Sequence, residues 1–460
     1  MGDKMIRTFL IKATILLAAL TVLGCIETEY DPPSEDPWSP PTPTRGIRWI
    51  RNNPMLISGL TVSMGPPPAR FVNDYFNGFY ANAVHLWEDG VPEEMDAWAT
   101  VGNPSFRFVS WMQPDGTSRS NGMLVGGYPA NAAGRIGYQI GDEPMTLAEF
   151  FQCATGINAI RAYDPDALLI MNFSFLAPEV DQMIEYYGQN MDGDVISHDV
   201  YTWTSSVYQH LAKFRRAGLR FNKPYWRYLY SHYSDREDVI SESDLRWEAF
   251  MGLVYGYTGH TWFIYQITEN NVLDPAFFTR QADFNAPKTS LWAIAAQINV
   301  EMTRLGRAIT QMTSTDVRYV PTTSYYIPPG AVPWSRGAGG DPYVTDIAPA
   351  PGHEYLEILA GFFRDDSGEF YVMVQNVRHT HGDIPINRED PGTVRIAFDF
   401  SRAPSGVDRS KIISLNKLTG AVDHLPLTGT GGNTAYFDIA LASGDPFLFK
   451  YATQAPFAMK

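Results

Sequence analysis

Between residues 57 and 266 the chain repeats one local pattern: a short apolar run, a loop rich in turn residues, then apolar residues at helical spacing. A buried strand followed by an amphipathic helix packs back beside a parallel neighbour, so the repeat predicts βα units around a parallel sheet. Eight apolar runs read as strands, at 60–64, 81–87, 106–112, 136–140, 167–173, 195–200, 225–230 and 260–266. Eight parallel strands are the number that closes a barrel. Helices are expected at 147–162, 180–187, 207–216 and 245–255, with a closing helix at 284–304. Two of them carry start signals: Thr146 with Glu149 three residues on, and Ser241 with Asp244 three residues on.

Past residue 313 the pattern changes. A segment rich in Pro, Gly and Tyr runs to about 350, and short strands without intervening helices follow, separated by turns such as Asp365-Asp366-Ser367-Gly368. That is the pattern of a small antiparallel sandwich. The fold class expected is α/β: a (β/α)8 TIM barrel over 47–312, a linker over 313–350 and an all-β sandwich over 351–460.

The first 24 residues have a basic start, an apolar core and Gly24 directly before Cys25, which predicts an export signal. Val22-Leu23-Gly24-Cys25 resembles a bacterial lipobox, which implies lipidation at Cys25, a membrane anchor, and a place in the periplasm or at the cell surface. The following stretch, 25–46, is acidic and proline-rich and reads as an extended tether. Cys153, the other cysteine, falls among Phe150, Phe151 and Ile157 on an expected helix and reads as a small buried hydrophobe.

A formal charge of −15 repels phosphate backbones, so nucleic acid is not an expected partner. No phosphate-cradling glycine loop ending in Lys-Ser or Lys-Thr, no Gly-x-Ser-x-Gly elbow and no cysteine cluster is present. No two histidines have the short helical spacing of a zinc motif. Neither a metal nor another cofactor is expected.

What the strand ends do carry is carboxylates and rings. The fourth run delivers Asp142 and Glu143 to Pro144 just before a helix start, the position where α/β barrels keep their chemistry. Around the same rim the pattern places Trp87 and Glu88, Trp111, Asn172, Asp199 with Tyr201 and Trp203, Tyr230 and His232, and Gln266 with Glu269. Sugars present apolar ring faces edged with hydroxyls, so aromatic platforms between acids suit a saccharide cleft. A glycosidase also needs one carboxyl kept protonated and a second across the scissile bond.

These features resemble the clan A (β/α)8 glycoside hydrolases with an appended β-sandwich. That family carries Asn-Glu, often Asn-Glu-Pro, at the end of strand four; Asp142-Glu143-Pro144 matches with Asp in place of Asn. The resemblance implies an acid/base role for Glu143 and contact with a sugar hydroxyl for Asp142. The segment 246–265 and the tail motifs Val374-Gln375-Asn376 and 442–449 are similar to the family's last helix and strand and to its sandwich strands. The match fails at strand seven, where the family keeps a nucleophilic glutamate and Tyr225-Trp226-Arg227-Tyr228-Leu229-Tyr230 has no carboxylate. Three expectations stay open: a carboxylate partner for Glu143, either Asp142 or one from another strand, with Asp199 first and Glu88 and Glu269 behind it; inversion through water; or a barrel that binds glycans without cleaving them.

Overall fold

The computed structural model describes residues 38–62, 66–87, 98, 107–130, 132–233, 240–267, 274–279, 284–321, 326–379 and 391–460. The leader, Cys25 and most of the expected tether lie outside these residues, as do Glu88 and Glu269.

Eight strands close a parallel barrel in sequence order: β1 (Leu56–Val62), β2 (Ala83–Leu86), β3 (Phe108–Met112), β4 (Arg135–Ile140), β5 (Leu168–Ser174), β6 (Val195–Asp199), β7 (Tyr225–Tyr230) and β8 (Gly259–Ile267). The last pairs in parallel with both β7 and β1. Each strand is buried on both faces, which is why the sequence shows them as near-continuous apolar runs. Inward residues form layers. Leu56, Ala83, Val109, Ile136, Leu168, Val195 and Trp226 pack at the floor, and Leu60, Tyr228 and Ile264 lie above, with Phe263 and Tyr201 against them.

The helices are α1 (Arg45–Asn52), α2 (Ala69–Asn73), α3 (Leu147–Tyr163), α4 (Val180–Asn190), α5 (Val207–Arg220), α6 (Glu242–Tyr255) and α7 (Ser290–Ile309). Both expected capping boxes are present, Thr146 with Glu149 on α3 and Ser241 with Asp244 on α6. The closing helix starts later than 284, after Pro287, at the cap residue Thr289. Helix α1 lies under the floor, with Ile50 among the floor residues. The strap leading into it is fixed at both sides: Trp38 Nε1 donates to Asp365 O, Thr44 Oγ1 to Asn222 O, and Asn222 Nδ2 to Thr42 O.

Two antiparallel sheets follow. The larger has the order β9-β11-β12-β18-β14-β15, from β9 (Met312–Val320), β11 (Ile358–Asp365), β12 (Phe370–Asn376), β14 (Asp408–Leu415), β15 (Val422–Pro426) and β18 (Pro446–Ala452). The smaller has the order β10-β13-β17-β16, from β10 (Val344–Pro349), β13 (Gly392–Asp399), β16 (Thr428–Gly431) and β17 (Thr434–Leu441). The stretch expected to be a linker thus supplies β9 and β10, each at the edge of a sheet. Edge strands tolerate polar residues and proline, so Met312-Thr313-Ser314-Thr315-Asp316 and Ala348-Pro349 lack the apolar signature of a central strand.

Barrel and sandwich share a core. Leu359, Phe363, Met373, Leu415 and Leu448 of the larger sheet belong to the same apolar cluster as Leu253, Phe250 and Met302 of α6 and α7. Helix α6 is buried from Ser243 to Tyr255 because it has the barrel on one side and the sheet on the other. At its start Arg246 forms a two-bond pair with Glu301 of α7, at 2.8 and 3.1 Å, and reaches Asp445 of the sandwich at 3.1 Å. Lys417 closes the cluster, 2.8 Å from Glu301 and 3.2 Å from Asp445.

Candidate active site

The site is built on the turn after β4. Gly141 has φ 65°, and a Cβ placed on it would lie 2.5 Å from Cys153 Sγ on α3, so conformation and space both demand glycine. Cys153 is the buried small residue that the sequence suggested, its thiol pushed up to about 12 by burial and by the charge of Asp142. Two residues on, Glu143 also has positive φ, 45°, unusual for a residue with a side chain. Its backbone N–H donates to Asn172 O at 3.1 Å. The N-cap of helix α3 is Thr146, four residues past Asp142.

Asn172, at the top of β5 and 1% exposed, is the hub. Its Nδ2 donates to Asp142 Oδ1 at 2.9 Å and to Asp199 Oδ1 at 3.3 Å. Gln139 Nε2 gives Asp142 Oδ1 a further bond at 3.2 Å. Asp199, at the end of β6, is hydrogen-bonded to the side chain of Glu143 and receives a hydrogen bond from Tyr201. Carboxyls from the ends of β4 and β6 therefore meet across β5, with Asp142 and Asp199 on the Asn172 amide and Glu143 beside Asp199. Burial, then the charges of Glu143 and Asp142, push Asp199 well above the usual carboxylate range. Asp199 is the deepest of the three, which is why burial leads the causes.

Aromatic stacks flank the carboxyls. On the β2–β3 side Trp87 and Trp111 lie face to face, 4.6 Å between ring centroids. On the β6–β8 side Trp203 stacks on Tyr230 at 4.8 Å and Tyr201 on Phe263 at 4.9 Å. His232 packs edge-on against Tyr201 and bonds Phe263 O at 3.0 Å; burial takes its pKa down to about 4, which leaves it neutral. Gln266 is buried in the β1–β8 ladder opposite Thr61. Among the described residues, Asn172 Oδ1, an acceptor, and Trp111 Nε1, a donor, are buried here without a hydrogen-bond partner. A polyhydroxyl ligand supplies the complement of both.

Sequence reasoning gathered Asp142, Glu143, Asn172, Asp199, Tyr201, Trp203 and Tyr230 at this rim, and the structure brings them together. His198, whose neighbour is Asp199, faces the other way: it stacks on Phe214 of α5 and bonds Tyr257. At strand seven, where a carboxylate was missed, Glu248 of α6 sits behind the strand. It accepts from Tyr230 N at 2.9 Å and pairs with Arg227 at 2.7 Å, so it is tied into the barrel wall. Three inward polar residues went unremarked in the sequence: His85, Gln139 and Tyr228. Their signal is a polar side chain at an inward position of an otherwise apolar strand.

No protein-family model matches this chain, and neither does any curated protein. Solved structures resemble it at low identity. An α-L-arabinofuranosidase from Thermotoga maritima, in complex with arabinose, is 10% identical with a TM-score of 0.45, over 86% of this chain and 97% of its own. A GH30 endoxylanase from Clostridium papyrosolvens is 12% identical with a TM-score of 0.40, over 87% and 97%. An endo-β-1,4-mannanase from Thermotoga petrophila is 8% identical with a TM-score of 0.39, over 88% and 99%. At this level likeness carries no functional argument, and the chemistry must come from the site itself.

Proposed function

We propose that this chain is a glycoside hydrolase acting on a polysaccharide or oligosaccharide. The observation that carries the proposal is the Asp199–Glu143 carboxyl pair, side by side between aromatic stacks, where burial and the neighbouring charges resist the ionisation of Asp199. Glu143, the more exposed of the two, delivers the proton to the leaving glycosidic oxygen and draws it from Asp199 along their hydrogen bond. Asp142 and the negative charge left on the pair then face the developing oxocarbenium ion, which a water molecule attacks; the new C–OH bond replaces the glycosidic one and the water's proton returns to the pair. Paired glycosidase carboxyls stand about 5–5.5 Å apart in retaining and about 6.5–9.5 Å in inverting enzymes, so sugar entry has to part this pair.

That closeness, with no carboxylate on β7, supports a second reading, a glycan-binding protein on a glycosidase-like barrel. Wild type, Glu143→Gln and Asp199→Asn assayed for reducing ends on a polysaccharide panel decide between them. Hydrolysis by wild type and a loss of about 100-fold or more in both variants is expected. Retarded migration in glycan-containing gels without release of reducing ends selects the binding reading, and neither activity nor retardation sinks both. We place the protein at the cell envelope on its lipobox-like Val22-Leu23-Gly24-Cys25; palmitate labelling lost in Cys25→Ser is the test.

A further inference from the structure

Below the carboxyls, the interior of the barrel is not filled by aliphatic side chains alone. His85 of β2, Gln139 of β4 and Tyr228 of β7 converge there, 3%, 0% and 3% exposed. Tyr228 Oη donates to Gln139 Oε1 at 2.7 Å, and His85 Nδ1 lies 3.2 Å from Tyr228 Oη. Gln139 Nε2 in turn donates to Asp142 Oδ1 at 3.2 Å. The chain of bonds has one consistent direction. Burial takes the His85 pKa down to about 3, so the ring is neutral; with the Tyr228 O–H committed to Gln139, the nearer nitrogen, Nδ1, is assigned as the donor by the network. Burial likewise keeps the Tyr228 phenol protonated, and its single O–H goes to Gln139. With Oε1 thus occupied, the amide of Gln139 has its Nε2 turned to Asp142, an orientation assigned by the network.

Burying three polar side chains costs free energy unless each is satisfied, and aliphatic residues would fill the same space without that demand. What the trio adds is a fixed donor under Asp142. Asn172 supplies the second donor to the same oxygen and ties it to Asp199.

We propose that His85, Tyr228 and Gln139 form a positioning relay that sets the orientation of Asp142 from the barrel interior and, through Asn172, the spacing of the three carboxyls. The proposal rests on reading Asp142, Glu143 and Asp199 as a hydrolytic centre. None of the three relay residues is a catalytic residue in this scheme. Each acts through Asp142.

Tyr228→Phe removes one hydroxyl and keeps the ring. On a polysaccharide that wild type cleaves, kcat should fall about 10- to 100-fold while KM stays within about 2-fold, as for loss of alignment rather than of binding. Gln139→Met should reproduce the effect, and the double variant should be no worse than either single one, because both cut the same chain. A second readout needs no turnover: the infrared band of the protonated carboxyl, assigned by its loss in Asp199→Asn, titrates to a lower midpoint in Tyr228→Phe once Asp142 is released from its place beside Asp199. Full kcat with an unmoved band, or additive losses in the double variant, overturns the relay. A wild type that cleaves no glycan while the band still moves overturns the hydrolytic reading and leaves the relay standing. If Tyr228→Phe does not fold, Gln139→Met is judged on the same two measurements.

Discussion

Asp199 is a carboxyl whose surroundings resist its ionisation, and that fixes two signs. As proton source it works while protonated, so hydrolysis is lost as pH rises through its raised pKa. For stability, a carboxyl with a folded pKa above its unfolded one contributes fully below the unfolded value and loses that contribution as pH rises through the folded one. Asp199→Asn should therefore raise the melting temperature more at pH 8 than at pH 5 while abolishing hydrolysis, a contrast that calorimetry at the two pH values measures. How much of this was legible in the sequence differs residue by residue. Asp142 and Glu143 announced themselves by standing between an apolar run and a helix start. Asp199 stood at a strand end beside Tyr201. His85, Gln139 and Tyr228 did not, because inward and outward positions of a strand buried on both faces look alike until its register is known, as the opposite facings of His198 and Asp199 illustrate.

At the scale of elements, the β4–α3 turn holds the site in shape. Gly141→Ala places a methyl against Cys153 at a backbone conformation that alanine resists, and should cost about 1–3 kcal/mol in urea unfolding together with a marked fall in hydrolysis. Thr146→Ala removes the α3 cap and should cost about 1 kcal/mol in the same experiment with little change in turnover. The pair of variants separates the turn that aims the acids from the helix that merely follows. The elements themselves were readable where burial is complete. All eight barrel strands and the two capping boxes follow from periodicity and cap chemistry. Strands β9 and β10 do not, since an edge strand's pattern is set by the neighbour it pairs with rather than by its own composition.

For the whole molecule, the join between barrel and sandwich combines an apolar core with a buried ion cluster. Burial pushes Glu301 up, but the hydrogen bonds and charges of Arg246 and Lys417 outweigh it and hold its pKa at about 2. The resulting stabilisation is present above the ordinary value of 4.5 and is lost as pH falls through about 2, so acid should loosen the join. Arg246→Met leaves Glu301 and Asp445 to share Lys417 alone and should destabilise by about 3–5 kcal/mol in urea at pH 7, with a second, earlier transition if the two parts then unfold separately. The strap before α1 has a mechanical consequence. A pull on the chain ahead of Trp38 is carried by the anchors on Asn222 and Asp365, beneath the barrel floor and at the sandwich. The load path thus runs through the side away from Glu143, and a protein held by that end can be tugged by its surroundings without its carboxyls being drawn out of line.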